Sequence, residues 1–263
     1  MFFDFKQFRV YHDRCAMKVG TDGVLLGAWA PFCYPSLDNI TESTAPNSQT
    51  QAFMNVLDIG TGSGLLALMI AQRYPTARIT AIDIDAEAAA QAADNVLASP
   101  FANRITVAHA SLQDFVARQQ YPFSTTADVG CRESFQAIIC NPPFFENSLL
   151  APDAQRATAR HASTLSFDEL ISTTARLLAD GGQFAVVLPT EAFTSFHHLC
   201  FASGLNLEEE CQVHTTSTKP PKRILACFRK GPVHDVSRQH LTLTIDGHRS
   251  PDYSAMTADF YIR

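Results

Sequence analysis

The 263-residue sequence contains no C-x-x-C pair, a single Trp, and no basic leader followed by a long apolar core. Each absence removes a class of protein. Its seven Cys, at 15, 33, 131, 140, 200, 211 and 227, are an odd set without zinc-ribbon spacing, which argues against a disulfide framework and suits a reducing cytosol. The longest uninterrupted apolar run, residues 65–71, falls far short of the roughly 20 residues that span a bilayer. The N-terminus, Met1-Phe2-Phe3-Asp4-Phe5-Lys6, does not read as an export signal, so a cytoplasmic protein without membrane contact is expected. There is no G-x-S-x-G elbow for serine hydrolysis. His197, His198 and Cys200 lack a second ligand pair at metal spacing, and no metal is expected.

What is present is an ordinary core composition, 46% apolar and 17% charged with 19 Phe, in a length that suits one large α/β domain or one domain with an elaboration. The net charge of −6 is unevenly spread: residues 212–240 hold six Lys or Arg against one acid, Asp235. Positive charge in one place on an acidic protein fits a polyanion, with Lys219, Lys222, Arg223 and Arg229 as candidate RNA contacts. The plainer alternative is a solvated surface loop.

Between residues 51 and 189, apolar runs of strand type alternate with helical spacing, the pattern of a parallel sheet covered on both faces. Strands are expected at 53–58, 78–83, 104–108, 135–140 and 183–188. Helices are expected at 63–73, 86–97 with Asp85 as its cap, 112–119, 167–178 closed by Asp180-Gly181-Gly182, and 191–202. Beyond these, 205–214 and 223–229 can pair as antiparallel strands around a loop of Thr, Ser, Lys and two Pro. Two polar insertions, 34–51 and 122–134, read as solvated loops. The expected organisation is an N-terminal extension over 1–50, with strand, helix and polar loop, followed by one domain over 51–263.

Two motifs carry chemistry. The first, Asp58-Ile59-Gly60-Thr61-Gly62-Ser63-Gly64, joins a strand to a helix where backbone must approach a ligand closely. A dinucleotide fingerprint would need glycines at 60, 62 and 65, and position 65 is Leu. With Asp83 ending the next strand to accept ribose hydroxyls, the pattern fits a cofactor that carries an adenosine and no pyrophosphate, with S-adenosylmethionine as the natural candidate. Glycines serving only tight packing at a helix start are the alternative. The second motif, Asn141-Pro142-Pro143-Phe144, stands directly after the fourth strand, where open parallel sheets bind ligands. It looks like the Asn-Pro-Pro-aromatic tetrad of class I methyltransferases that act on planar amines and amides. An exocyclic amine is a poor nucleophile while its lone pair is delocalised. If the Asn141 amide oxygen and the Pro142 carbonyl each accept one N–H, the nitrogen can pyramidalise toward a sulfonium methyl. Pro142 and Pro143 stiffen the loop, and Phe144 offers a ring on which a base can stack.

The N-terminal segment completes the picture: Phe5-Lys6-Gln7-Phe8, then residues 12–23 reading HDRCAMKVGTDG, then Leu25-Leu26-Gly27-Ala28-Trp29. Together with the glycine turn, the tetrad and the tail 221–228, it closely resembles the bacterial tRNA(Val) adenine-N6 methyltransferases over nearly the whole chain except the two insertions. The resemblance implies a Rossmann-like class I fold, a seven-stranded mostly parallel sheet with six strands parallel and one reversed, and helices on both faces. It also implies S-adenosylmethionine as donor, tRNA as partner and an adenine beside the anticodon as target, in a protein expected to be monomeric. By the same resemblance Lys18, Thr21 and Asp22 lie beside the methionine part of the cofactor, ahead of a helix over 21–29, while Asp58, Gly60, Thr61, Gly62, Gly64, Asp83 and Asn141 complete the pocket. From the residues alone, Thr21 or Asp22 would cap that helix. The chain departs from its relatives at Ser111, where an acid often contacts the adenine; that role passes to Ser111, the Leu112 backbone N–H or Asp114. It departs again at Phe144, where many relatives carry Tyr.

Three rivals remain. A release-factor glutamine methyltransferase shares the tetrad, but its relatives carry a larger helical N-terminal domain. A guanine-N2 methyltransferase of ribosomal RNA faces the same planar-amine problem. A non-catalytic RNA-binding module would not need the tetrad's transfer geometry.

Overall fold

A computed structural model describes residues 1–33, 53–120, 134–142 and 165–262 of the chain. It opens with an antiparallel hairpin, β1 (Phe2–Asp4) and β2 (Arg9–Tyr11), followed by α1 (Thr21–Trp29). Every residue of α1 from Gly23 to Trp29 is buried, so this is an interior helix without a polar stripe. Its N-cap is Gly20, with no side-chain cap bond, and the expectation that Thr21 or Asp22 caps it is corrected.

The alternating part follows as β3 (Met54–Ile59), α2 (Leu65–Arg73), β4 (Ala77–Asp83), α3 (Ala86–Leu97), β5 (Ile105–His109), α4 (Leu112–Gln120), β6 (Phe135–Cys140), α5 (Phe167–Leu177), β7 (Leu178–Pro189) and α6 (Thr190–Ala202). Asp85 caps α3 by accepting from the backbone N–H of Glu87 and Ala88, and Ser166 and Glu169 form a reciprocal capping box on α5. The glycine closure expected after α5 is absent. Leu178 already pairs with Phe135 of β6, and the register shifts before Ala137 meets Gln183, so Asp180, Gly181 and Gly182 lie in an irregularity within β7.

The tail adds β8 (Leu205–Thr216), β9 (Pro221–Lys230), β10 (Ser237–Ile245), β11 (His248–Arg249) and α7 (Pro251–Met256). The large sheet runs β11-β10-β8-β9-β7-β6-β3-β4-β5. Strands β3 to β9 form the expected seven, with β9 antiparallel to both neighbours and the other six parallel. The sheet itself is nine strands wide, because β10 adds parallel to β8 and β11 adds antiparallel to β10.

The period-two alternation of strand side chains builds a core on each face. Met54 and Val56 of β3, Ala185 and Val187 of β7, and Leu225 and Cys227 of β9 pack with α1 and α2. Leu57 and Ile59, Phe184, Val186 and Leu188, and Ile224, Ala226 and Phe228 pack with α5 and α6 on the other face. From β3 the chain steps outward through β4 and β5, then returns to β6 on the opposite side of β3. That reversal makes the carboxyl ends of β3 and β6 the place where open α/β sheets bind ligands.

Candidate active site

Register sets the site. Ile59, the last residue of β3, pairs with Cys140, the last of β6, and with Ile82 of β4. The glycine turn and Asn141 therefore leave the sheet side by side. The turn folds over the end of β4: Gly60 and Thr61 donate backbone N–H groups to the Ile82 carbonyl at 2.9 and 3.0 Å, and Gly62 N–H donates to Asp83 Oδ2 at 2.7 Å.

The glycines do two different jobs. Gly60 and Gly62 have φ of +70° and +57°, and no atom lies within 4 Å of the place a Cβ would occupy on either. That open cradle is what a ligand lying against the backbone requires. Gly64, at φ +80°, lies against the backbone of Ala92 in α3, 3.4 Å from its would-be Cβ, so packing accounts for it.

A pocket of about 360 Å³ opens over the turn, within the roughly 300–1,000 Å³ range usual for small-molecule sites. Lys18, Thr21 and Asp22 line one side, Gly60, Thr61 and Gly62 another, and Asn141 and Pro142 a third. The Lys18 ammonium is engaged with its own loop, donating to the carbonyls of His12 and Cys15 at 2.8 and 3.0 Å. Asp22 Oδ2 accepts from Arg223 Nε at 2.8 Å. Asn141 is half-buried and Pro142 buried. Pro143 and Phe144 lie outside the described residues.

Asp58, Gly64, Asp83, Ser111 and Leu112 do not line this pocket. Asp58 is fully buried beneath the turn, where its Oδ2 accepts from the Thr61 hydroxyl at 2.6 Å and from the Ala67 backbone at 3.2 Å. It thereby satisfies an amide in the first turn of α2, a helix whose N-cap Gly64 offers no side-chain acceptor. Asp58 thus supports the turn from beneath. Burial pushes its carboxyl up to about 7, and its Oδ1 has no hydrogen-bond partner among the described residues. Asp83 is half-buried at the end of β4, with Oδ1 accepting from Asp85 N–H at 2.9 Å. Ser111 caps the start of α4 through Asp114, and Leu112 is buried in the core.

The four candidate RNA contacts separate. Lys219 and Lys222 are exposed on and beside the β8–β9 connection. Arg223 pairs with Pro189 at the carboxyl end of β7, the edge that carries the site. Arg229 pairs with Gln183, six residues back and roughly 20 Å along the strand, and its guanidinium is committed to Glu208 and the Gly181 carbonyl. It lies away from the edge that carries the site, in an ion pair with Glu208.

Gly23 was missed as a site residue. A Cβ there would sit 3.0 Å from the Leu65 side chain, tighter than ordinary contact, and 3.8 Å from Asn141 Nδ2, so the glycine eases the packing of α1 on α2 beside the amide. The available signal was a glycine inside an apolar helix, where it costs about 1 kcal/mol relative to Ala. Among the described residues, no group of three or more His, Cys, Asp or Glu could hold a metal ion.

Comparison with known proteins agrees with this geometry. The Methyltransferase small domain family matches residues 25–200. A Parabacteroides distasonis protein named tRNA1(Val) (adenine(37)-N6)-methyltransferase is 41% identical over 263 residues, covering 100% of this chain and 98% of its own. A Phocaeicola vulgatus protein of the same name is 43% identical over 262 residues, covering 99% and 97%. Among solved structures, one described as a predicted O-methyltransferase from Agrobacterium tumefaciens superposes with a TM-score of 0.59 at 19% identity, covering 90% of this chain and 96% of that one. A Listeria monocytogenes protein assigned to the class I S-adenosylmethionine-dependent methyltransferases gives 0.51 at 13% identity, covering 79% and 63%. At such identities the structural likeness speaks to the fold alone.

Proposed function

We infer the reaction from the family to which this chain belongs, the tRNA1(Val) (adenine(37)-N6)-methyltransferases, matched at about 40% identity over the full chain. The protein transfers a methyl group from S-adenosylmethionine to the exocyclic N6 of adenine 37 in tRNA1(Val). One observation supports the site assignment above others: Asn141 and Pro142 line the same pocket as the open glycine turn.

The residues present fit the cofactor, since Gly60 and Gly62 leave a backbone cradle that side chains would fill. Asp83 adds a carboxylate bonded to the turn. When bound, S-adenosylmethionine supplies an electrophilic methyl on a sulfonium. Everything else is done by the chain. The Asn141 amide oxygen takes one N–H of the adenine amine and the Pro142 carbonyl takes the other, which localises the nitrogen lone pair and aims it into the pocket. Pro142 and Pro143 hold the two acceptors in place before the base arrives. Phe144 stacks on the base, worth on the order of 1–3 kcal/mol. The amine needs no general base before transfer, and its surplus proton leaves to water afterwards.

The N-terminal extension, described over residues 1–33, closes the cofactor pocket, with Lys18 fastening the loop ahead of α1. Lys219 and Lys222 bind tRNA phosphates. The protein works as a cytoplasmic monomer; among the described residues no helix is long and apolar enough to cross a membrane. Incubation with methyl-labelled donor and tRNA, followed by nucleoside digestion, is expected to yield N6-methyladenosine. Unlabelled tRNA, with label appearing instead as N2-methylguanosine in ribosomal RNA or on a release-factor glutamine when those are supplied, would favour a rival substrate.

A further inference from the structure

Arg223 belongs to the basic segment that the sequence offers to RNA, yet its guanidinium is engaged at the cofactor pocket. Nε donates to Asp22 Oδ2 at 2.8 Å and Nη1 donates to the Lys222 carbonyl at 3.0 Å. Asp22 lies 201 residues earlier, in the first turn of α1, and lines the pocket. Its other oxygen, Oδ1, has no partner among the described residues.

The root of Arg223 is rigid. Its backbone is laddered between Pro189 of β7 and Val213 of β8, and the Thr190 hydroxyl donates to the neighbouring Pro221 carbonyl at 2.8 Å. Asp22 in turn precedes Gly23, which packs on Leu65 beside Asn141. One guanidinium thus ties the interior of the sheet to the start of the helix that walls both the pocket and the target-binding amide. Two of its five N–H groups are occupied in this way and its charge is already paired with a carboxylate, which weakens its pull on a phosphate.

We propose that Arg223 is a positioning residue for the cofactor pocket and not an RNA contact: it holds the Asp22 carboxylate so that Oδ1 is presented to a cationic group of the donor. This deepens the methyltransferase reading and rests on it for the identity of the ligand. The role is a matter of orientation. Both side chains are about one-third exposed, so the pair's value lies in geometry more than in stability.

The test uses the full chain with S-adenosylhomocysteine as the calorimetric probe, and tRNA binding measured across a salt series. Arg223→Ala is expected to raise the S-adenosylhomocysteine Kd about three- to tenfold, with Arg223→Lys recovering part of the loss. The salt slope of tRNA binding stays at the wild-type value, whereas Lys222→Ala lowers it by about one. In an Asp22→Asn background, Arg223→Ala has little further effect on the probe. An unchanged Kd in Arg223→Ala together with a reduced salt slope would overturn the proposal, as would equal losses with and without Asp22. Loss of both probe affinity and salt slope would overturn the exclusive assignment. Should Arg223→Ala fold poorly, Arg223→Gln, which removes the charge and keeps a donor for Asp22, takes its place in both readouts. If the tRNA reading itself fails, the wild-type chain binds no tRNA while the calorimetric arm remains readable.

Discussion

The backbone N–H of Gly62 donates to Asp83 Oδ2 at 2.7 Å, which fastens the middle of the glycine turn to the end of the neighbouring strand. With Asp85 N–H on Oδ1, two of roughly four acceptor positions of the carboxylate are used within the protein, and two remain for ribose hydroxyls. Asp83→Ala removes the anchor and, with it, the proposed ribose contact. Charged hydrogen bonds contribute about 1.5–3 kcal/mol, so the donor Kd is expected to rise roughly 10- to 100-fold by calorimetry. An unchanged Kd would shift the ribose contact to Asp85.

Gly62→Ala and Gly64→Ala should part ways. Both place a Cβ on left-handed backbone, at about 1–2 kcal/mol. At Gly62 the added methyl enters open space over the turn, while at Gly64 it lies against the Ala92 backbone of α3. Gly62→Ala is expected to lose donor affinity with a small fall in Tm, and Gly64→Ala to lose more Tm. The reverse order would place the ligand elsewhere.

Asp58 predicts a pH dependence of unusual sign. Desolvation lifts its carboxyl from 3.8 to about 7, against the Thr61 hydroxyl and the Ala67 amide, which favour the charged form. Between about pH 4 and 7 the native state keeps a proton that the unfolded chain has released. This contribution to stability is complete below pH 4 and lost as pH rises through 7. Asp58→Asn keeps an acceptor for Thr61 and cannot ionise. Denaturant melts of the ligand-free protein at pH 5 and pH 8 should show wild type losing more than about 1 kcal/mol relative to the variant. Parallel pH dependences would refute it.

Reversing Lys219 and Lys222 to Glu should weaken tRNA binding and lower its salt slope by about two, since each phosphate contact contributes about 0.9. Arg229→Ala should leave that slope alone and lower Tm, because it leaves Glu208 without its cation. Equal effects of the two changes on RNA would return Arg229 to the interface.

The central architecture was legible because its signals are local. The bounds of α3 match expectation, since Asp85 and the Ala-rich run state both cap and propensity. The closeness of the glycine turn and Asn141 followed from each motif standing at a strand's end. Strand β10 was legible and passed over: Leu241, Leu243 and Ile245 alternate with Thr242 and Thr244, although only Leu241 is buried. Arg223 and Arg229 look alike in composition, and only the register of β9 against β7 separates a pocket contact from a distant ion pair. Asp58 beside a glycine turn reads as a ligand contact; its burial beneath the turn became visible once Thr61 and Ala67 were seen to claim it.

The most direct test of the account is Asn141→Ala, with the single-turnover methylation rate measured on tRNA beside donor affinity by calorimetry. In the proposed role the carboxamide meets the target amine, so the rate is expected to fall by at least about a hundredfold while the donor Kd stays within a few fold. A rate that survives the change, or a donor affinity that collapses in step with it, would contradict the role assigned to Asn141.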